Sequence, residues 1–265
     1  MSDLIFHHYP QSPVAEKVRV GMGLKKLSWH SVEIPRIPPK PDLMPLTGGY
    51  RRTPVMQFGA DIFCDSQSIL RELERRYPEP TFFSERSGGL EWGISRWTDT
   101  DLFIAMIKLI LSVSADSIPA EFVKDRTRLY LGENADLREV AKNIPHLVSQ
   151  IRAQLGWIEQ RLAEELDFIS GDKPGLPDAQ FYYLIWFLRG RWDGGPGLLS
   201  EFPALEAWEA RIQEIGHGTS TELSSTEALV LAKASTTEFS LDIDVRDPLA
   251  LEAGQIIGVT PDEDG

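Results

Sequence analysis

The sequence predicts an α+β protein in which a small α/β unit precedes an all-α domain. Short apolar runs and helical segments alternate in the order β-α-β-loop-β-β-α over about the first 80 residues. From about residue 85 to residue 233, apolar residues recur at helical spacing instead. The stretch YPEPTFFSERSGG separates the two patterns and is rich in Pro, Ser and Gly, as linkers are.

Each element of the α/β unit has its own local signal. Apolar runs predict strands over 3–8 and 29–34, and the helical spacing of Val14, Val18 and Met22 predicts a helix over 13–26. PRIPPKP is a loop, since a helix interior does not tolerate so many prolines. TPVMQF and DIFC flank Gly-Ala-Asp and predict a hairpin. SQSILRELERRYP predicts a helix that its Tyr-Pro step ends.

The remaining chain divides into a helical part and a tail. Five helices are predicted, over 90–113, 121–131, 144–166, 178–190 and 202–216. The tail alternates polar and apolar residues, which indicates two or three short strands or else a disordered acidic segment. We therefore predict three regions: 1–83, 88–233 and an acidic C-terminal extension, 235–265.

Composition excludes several classes of function. The net charge of −13 argues against nucleic-acid binding, which needs a basic surface. The stretch from Glu222 to Gly265 holds ten acids and two bases, so it carries −8 of that charge. No apolar run is long enough to span a membrane, and the N-terminus lacks the basic and apolar regions of a secretion signal. We expect a cytoplasmic protein with no membrane partner.

Cysteine and histidine usage argues against a metal site. Cys64 is the one cysteine, which excludes an internal disulfide, a CxxC dithiol and a multi-cysteine zinc site. It lies in the apolar run DIFCD, so we predict an inert core residue. His7 and His8 are neighbours on a strand and point to opposite faces, so they do not converge on one ion. We expect no metal cofactor.

Four motifs, in order over about residues 3 to 232, resemble the glutathione transferase superfamily. QSPVAEKVR looks like the CPFAER-VR stretch of the omega-type enzymes, with Ser12 where their cysteine sits. KPDLMPLTGGYRRTP is similar to their Lys-Pro-Glu loop, which leads into a cis-proline. CDSQSIL resembles their acidic-Ser turn, and ISGDKPGLPDAQFYYL resembles the capping motif of the helical domain. The resemblance implies a thioredoxin-like domain, an all-α glutathione transferase C-terminal domain and, beyond them, a short β-like extension.

The resemblance also implies a glutathione site. Thr53 and Pro54 would share a cis peptide whose exposed backbone pairs with the extended ligand. Asp65 would accept hydrogen bonds from the α-amino group, and Ser66 would cap its helix while facing the γ-glutamyl carboxylate. Lys40 would meet the glycyl end. Without the resemblance, a trans-proline on an edge strand, a plain helix cap and a solvated lysine explain the same residues.

Ser12 is the candidate catalytic residue. Its hydroxyl, at a helix N-terminus, would donate a hydrogen bond to the glutathione sulfur and lower the pKa of the thiol. Ser12 as a helix cap alone is the structural alternative. Tyr9 is a rival hydroxyl and a candidate for the electrophile pocket, as is Trp97 on the first long helix, although aromatic residues at helical spacing are more often core.

These features predict a glutathione transferase whose co-substrate thiol attacks a small apolar electrophile, and the resemblance implies a homodimer. Two alternatives remain open: a catalytically silent binding or interaction module of the same fold, and a glutathione-dependent lyase or isomerase. The acidic extension favours a partner or regulatory role. In the helical domain, Asp178 is predicted to reach back to the helix start at Gly175 and so to support folding.

Overall fold

The computed structural model describes residues 3–84, 89–238, 246–252 and 254–256. The chain forms two compact units. The first, here called the sheet unit, comprises Met1–Tyr9, Trp29–Asp65 and Ser220–Gly265. The second, the helical unit, comprises Pro10–Ser28 and Ser66–Thr219. The predicted domain boundaries at 83 and 88 do not coincide with these two units, and they stay a prediction.

A mixed five-stranded sheet confirms the predicted α+β class. The strand order is β4-β3-β1-β2-β5, with β1 parallel to β2 and antiparallel to β3, and β3 antiparallel to β4. The first four strands lie close to their predicted positions, whereas β5 was not predicted because its four residues are polar and exposed. The strands are β1 Leu4–His8, β2 Ser28–Glu33, β3 Val55–Phe58, β4 Asp61–Cys64 and β5 Thr219–Glu222.

One face of the sheet packs against the last helix, α12, Ser225–Ala234. Gln57 of β3 donates from Nε2 to the carbonyl of Ala228 at 2.9 Å, and its Oε1 lies 2.9 Å from Nε2 of His7. All three residues are buried, so the side chain of Gln57 joins a C-terminal helix to the first strand. The apolar core around Ala228 consists of Ile5, Tyr9, Val32, Ile34, Leu43 and Val55.

The other helices follow the predicted periodicity, with short additional turns between them. Within the helical unit α1 packs against α3 and α9, and α8 packs against α5 and α11. Gly21 permits the close approach of α1 and α3, because a Cβ there would lie 2.6 Å from Leu70. The helices are α1 Pro13–Leu24, α2 Met44–Thr47, α3 Ser66–Arg76, α4 Leu90–Trp97, α5 Phe103–Ser114, α6 Ala120–Leu131, α7 Leu137–Ala141, α8 Ile144–Leu162, α9 Leu176–Arg191, α10 Gly195–Leu199 and α11 Pro203–Ile215.

The helix predicted over 90–113 contains a π-helical segment, Thr98–Leu102, between α4 and α5. Asp99 lies in this segment, and each of its carboxylate oxygens accepts a hydrogen bond from Nζ of the buried Lys17 at 2.7 Å. Ser95 and Tyr183 donate to the same carboxylate at 2.7 and 2.9 Å. The π-helical turn thus contains a carboxylate that accepts hydrogen bonds from α1, α4 and α9. Apolar periodicity gives no signal for a π-helical turn, so the sequence did not predict it.

The start of α9 confirms the predicted role of Asp178. Its carboxylate is fully buried and accepts hydrogen bonds from Gly175 N, Ile169 N, Ser170 Oγ and Trp208 Nε1, at 2.7–2.8 Å. Gly175 occupies the N-cap position, as predicted. Glycine is required there because a Cβ would lie 2.6 Å from Ser170 Oγ and 2.7 Å from the carbonyl oxygen of Phe82. The motif therefore ties the loop before α9 to the helix start.

The strands predicted for the C-terminal extension are not found where the structure describes it. None of residues 236–238, 246–252 and 254–256 lies in a strand, and the rest of the predicted strands lie outside the described residues. The described part instead begins with a contact to the β3–β4 hairpin. The hydroxyl of Thr237 and the amide of Glu238 both donate to the carboxylate of Asp61, the amide at 3.0 Å.

Candidate functional site

Ser12 lies at the N-cap of α1, as the Ser-Pro step predicted. Its backbone is extended, Pro13 follows in the first turn, and Oγ accepts a hydrogen bond from Ala15 N at 3.2 Å. The side chain forms no other hydrogen bond with the described part of the chain. Ser12 is 2% exposed. Because Oγ acts only as an acceptor in this contact, the hydroxyl hydrogen of Ser12 can be donated to an acceptor placed at the positive end of α1.

Two of the predicted glutathione ligands contact each other in the sheet unit. Lys40 is 3% exposed, and its Nζ donates to Oγ1 of Thr53 at 3.1 Å. The peptide between Thr53 and Pro54 is cis, which confirms the expectation drawn from the motif. Lys40 is thus not the solvated lysine that its loop position permits. The contact holds an ammonium group beside the residue whose backbone was predicted to pair with glutathione.

Asp65 and Ser66 form the predicted acidic-Ser turn between β4 and α3. Asp65 is exposed and has a left-handed backbone, with φ of 73°, which Asp tolerates better than most residues. We expected Ser66 to be the cap, but α3 begins at Ser66 itself, so the N-cap position belongs to Asp65. The hydroxyl and amide of the buried Ser66 therefore lie within the first helical turn, where amides lack intrahelical partners.

The two candidates for the electrophile pocket are both packed within their own units. Tyr9 is buried in the apolar core of the sheet unit, with the guanidinium of Arg36 5.9 Å from its ring centre. Trp97 donates from Nε1 to Gln154 Oε1 at 2.6 Å and stacks on Phe181, with ring centres 5.8 Å apart. Trp97 thus contributes to the aromatic core of the helical unit.

Cys64 lies at the end of β4, partly buried against the apolar core. Burial, and then the charge of Asp65, raises the pKa of its thiol to about 11. The thiol is consequently protonated at neutral pH, in keeping with the predicted inert role. Over the described ranges, no three His, Cys, Asp or Glu side chains form a group that could hold a metal ion.

Sequence reasoning missed the charged residues of α1. Glu16, Lys17 and Arg19 are all buried, although charged residues on an amphipathic helix usually face solvent. Glu16 and Arg19 pair with each other, and Lys17 pairs with the partly exposed Asp99, all within the helical unit. The sequence offered one signal, which is that three of the four residues 16–19 are charged. They lie at the start of a helix that has enough apolar residues elsewhere to form its buried face.

The described segments contain no helix with both the length and the apolar character needed to cross a bilayer.

Comparisons with known proteins agree with the motifs. The family model for the glutathione S-transferase N-terminal domain matches residues 6–81, and that for the C-terminal domain matches 135–211. A GST-like protein from Pseudomonas syringae is 32% identical, with a TM-score of 0.74 over 96% of this chain and 82% of its own. No curated protein matches the sequence.

Two further solved structures support the fold alone, since their sequences are distant. Glutathione transferase GSTFuA2 from Phanerochaete chrysosporium is 18% identical, with a TM-score of 0.64 over 82% of this chain and all of its own. A Tau class enzyme from mango, Mangifera indica, is 14% identical, with a TM-score of 0.61 over 88% of this chain and 98% of its own. Two family models and a relative at 32% identity show that this chain belongs to the glutathione S-transferase superfamily.

Proposed function

We propose that the chain is an omega-like glutathione transferase in which the Ser12 hydroxyl activates the thiol of glutathione. The observation that carries this proposal is the position of Ser12 as the N-cap of α1, with a hydroxyl hydrogen that is not donated to the described residues. A hydrogen bond from this hydroxyl, together with the positive end of the helix, stabilises a thiolate over a thiol. Ser12 itself attacks nothing.

The chemistry follows from which sulfur is available. The chain has one cysteine, whose pKa near 11 keeps it protonated at neutral pH, so the nucleophilic thiolate comes from the ligand. The glutathione thiol loses its proton to solvent, and the thiolate forms a carbon–sulfur bond with a small apolar electrophile. A halide or an ether oxygen departs with its bonding electrons, or an unsaturated carbon partner takes up a proton. Serine in place of the omega-type cysteine favours this chemistry over mixed disulfides.

The recognition of glutathione is assigned to five residues. Lys40 supplies a positive charge for the glycyl carboxylate, and its contact with Thr53 supports that placement. The backbone of Thr53, before Pro54, pairs with the extended peptide. Asp65 accepts from the α-amino group, while the first turn of α3 at Ser66 offers hydroxyl and amide donors to the γ-glutamyl carboxylate. We assign a homodimer and a cytoplasmic location from the family pattern.

A binding module without thiol chemistry is the second candidate, and one observation favours it. Ser12 is 2% exposed, so little of its surface is open to a ligand sulfur. Such a module would bind glutathione or a partner protein without ionising the thiol. A glutathione-dependent lyase or isomerase would share the whole site with the transferase and differ only in its product.

The test is glutathione binding by calorimetry, with the absorbance of the bound thiolate followed near neutral pH, for the wild type and Ser12→Ala. Binding with ionisation in the wild type, and binding without ionisation in the variant, supports the activating role of Ser12. If both proteins bind and neither ionises the thiol, the chain is a binding module. If neither protein binds glutathione, the recognition residues assigned above are wrong as a group.

A further inference from the structure

The loop after α11 lies against α1 and Leu27 because two glycines, Gly23 and Gly218, leave room for it. A Cβ on Gly23 would lie 1.9 Å from the carbonyl oxygen of Gly216. Gly218 has a positive φ of 74°, and a Cβ there would lie 2.2 Å from the carbonyl oxygen of Leu27. No other residue type fits these positions without moving the backbone. Between Gly216 and Gly218 the loop carries one side chain, His217.

His217 meets a buried ion pair on α1. Its Nε2 lies 2.8 Å from Oε1 of Glu16, and since an ionised carboxylate only accepts, His217 donates this hydrogen bond. The other oxygen of Glu16 accepts from Nε and Nη2 of Arg19, at 2.8 and 2.6 Å. Glu16 and Arg19 are 3% and 5% exposed, whereas His217 is 42% exposed.

The balance of burial and hydrogen bonding keeps Glu16 ionised. Burial by itself would raise the pKa of the Glu16 carboxyl, but the donors on His217 and Arg19 outweigh it, and the pKa lies below its ordinary value. The Glu16–Arg19–His217 cluster is therefore a buried ionic unit with one solvent-accessible member. A buried ion pair of this kind is weak evidence for added stability, because the cost of removing two charges from water offsets their attraction.

The geometry that this cluster imposes is that of the turn before Ser12. Nη2 of Arg19 also donates to the carbonyl oxygen of Pro10 at 3.0 Å, two residues before Ser12. On the other side, the amide of Glu16 donates to the carbonyl oxygen of Ser12 at 3.0 Å. The ion pair thus anchors the backbone before the candidate catalytic residue, and the first backbone hydrogen bond of α1 holds it on the other side. Arginine suits this task because its planar fork reaches two acceptors in fixed directions.

We propose that Arg19 is a positioning residue for Ser12, and that Glu16 and His217 hold Arg19 in place. Fixing Pro10 sets the path of the turn and hence the direction of the Ser12 hydroxyl. The inference rests on the proposed function of Ser12 as the activating hydroxyl. It assigns a role to the Gly-His-Gly sequence at 216–218, which lies about 200 residues from the site it serves.

Two variants test the proposal at different points of the cluster. Arg19→Lys keeps the charge but lacks the planar fork that bridges Glu16 and the Pro10 carbonyl, whereas His217→Ala removes one donor to Glu16 from a half-exposed position. For each, we expect the glutathione dissociation constant to stay within about twofold, while the ratio of thiolate to thiol in bound glutathione at pH 7 falls about threefold, which corresponds to about half a pKa unit. His217→Gln keeps a donor and is expected to restore the wild-type fraction.

The matched control is Arg189→Lys in the same unit. Arg189 also donates to a buried glutamate, Glu209, with distances of 2.6–3.1 Å, but it lies on α9. We expect this variant to leave the thiolate fraction unchanged. Equal losses in Arg189→Lys and Arg19→Lys would mean that the effect is general loosening, and would overturn the proposal.

A second measurement needs no ligand. The amide of Ala15 is bonded to Ser12 Oγ and that of Glu16 to Ser12 O, so their hydrogen exchange reports the order of the turn. We expect exchange about tenfold faster in Arg19→Lys and His217→Ala, and unchanged in Arg189→Lys. Unchanged exchange in all three overturns the positioning role. If exchange changes as expected but the wild type binds no glutathione, the positioning of Ser12 stands and the proposed function fails.

Discussion

Nζ of Lys40 lies 3.1 Å from Oγ1 of Thr53, so two residues predicted to bind glutathione, 13 positions apart in one motif, contact each other. The segment between them carries two prolines, Pro41 and Pro45, and two glycines, Gly48 and Gly49. The contact therefore depends on how the loop folds back and not on local periodicity. It gives Lys40 a defined place, which is the basis of the first prediction.

Lys40→Gln should weaken glutathione binding about tenfold, because a hydrogen bond to a charged group contributes roughly 1.5–3 kcal/mol and the glycyl carboxylate would lose its cationic partner. Calorimetry at low and high salt measures the effect, and the difference should shrink as salt screens the charge. Lys142→Gln is the matched control, since Lys142 is an exposed lysine paired with Glu139. An equal loss in the control would show that the effect is not specific to Lys40.

Ser12→Ala should lower the free energy of unfolding by about 1 kcal/mol and remove thiol activation, because the residue is both the cap of α1 and the proposed donor. Ser224→Ala provides the comparison. Ser224 caps α12 in the same way, accepting from Glu227 N at 3.2 Å. Chemical denaturation should show similar losses for the two variants, while only Ser12→Ala changes the ionisation of bound glutathione. Loss of ionisation in both would refute the specific role of Ser12.

Asp65→Asn should reduce glutathione affinity about tenfold with little change in stability, because asparagine tolerates the left-handed backbone but carries no charge for the α-amino group. Asp65→Ala should lose affinity and also about 1 kcal/mol of stability, since alanine is strained at this φ. Calorimetry and denaturation of both variants separate recognition from folding. Unchanged affinity in Asp65→Asn would remove Asp65 from the site.

The free energy of unfolding should fall as the pH drops below 6.5, in part because of His7. Burial, opposed in part by the hydrogen bond with Gln57, lowers the pKa of His7 from its ordinary value of 6.5. The unfolded chain therefore takes up a proton at a higher pH than the folded chain does. The contribution of neutral His7 to stability is complete above pH 6.5 and is lost as the pH falls toward the lowered pKa.

Denaturation of the wild type and His7→Gln from pH 8 to pH 5 checks this prediction, because glutamine does not titrate. The difference in unfolding free energy between the two proteins should change below pH 6.5 in the expected direction. Glu16 and Glu72, whose pKa values are also lowered, titrate from an ordinary value of 4.5 and so act below this window. A difference that is independent of pH would contradict the prediction.

Asp178→Ala should lower the free energy of unfolding by at least about 3 kcal/mol, because it leaves four donors, three of them buried, without their acceptor. Asp193→Ala, at an exposed position, should change it by no more than about 0.5 kcal/mol. Thermal and chemical unfolding measure both. A small loss in Asp178→Ala would mean that water replaces the carboxylate at the start of α9.

The sequence by itself determined most of the elements and the features that depend on near neighbours. The strands β1 to β4, the helices α1 and α3, the cap at Ser12 and the capping box at Asp178 all follow from residues a few positions apart. Apolar periodicity and helix caps are local properties, so a single sequence is enough to predict them. The four motifs, taken in order, were also enough to predict the family.

Only the tertiary structure decided which distant side chains meet. Lys17 and Asp99 are 82 positions apart, and Glu16 and His217 are 201 apart. The packing of α12 on the sheet likewise includes the buried bond from Gln57 to Ala228, 171 positions apart. Such contacts result from burying charged and polar groups together, because an unpaired buried group costs more than the pairing gains. No pattern among neighbouring residues indicates this requirement. The contacts of the residues around Ser12 could therefore be identified only from the tertiary structure.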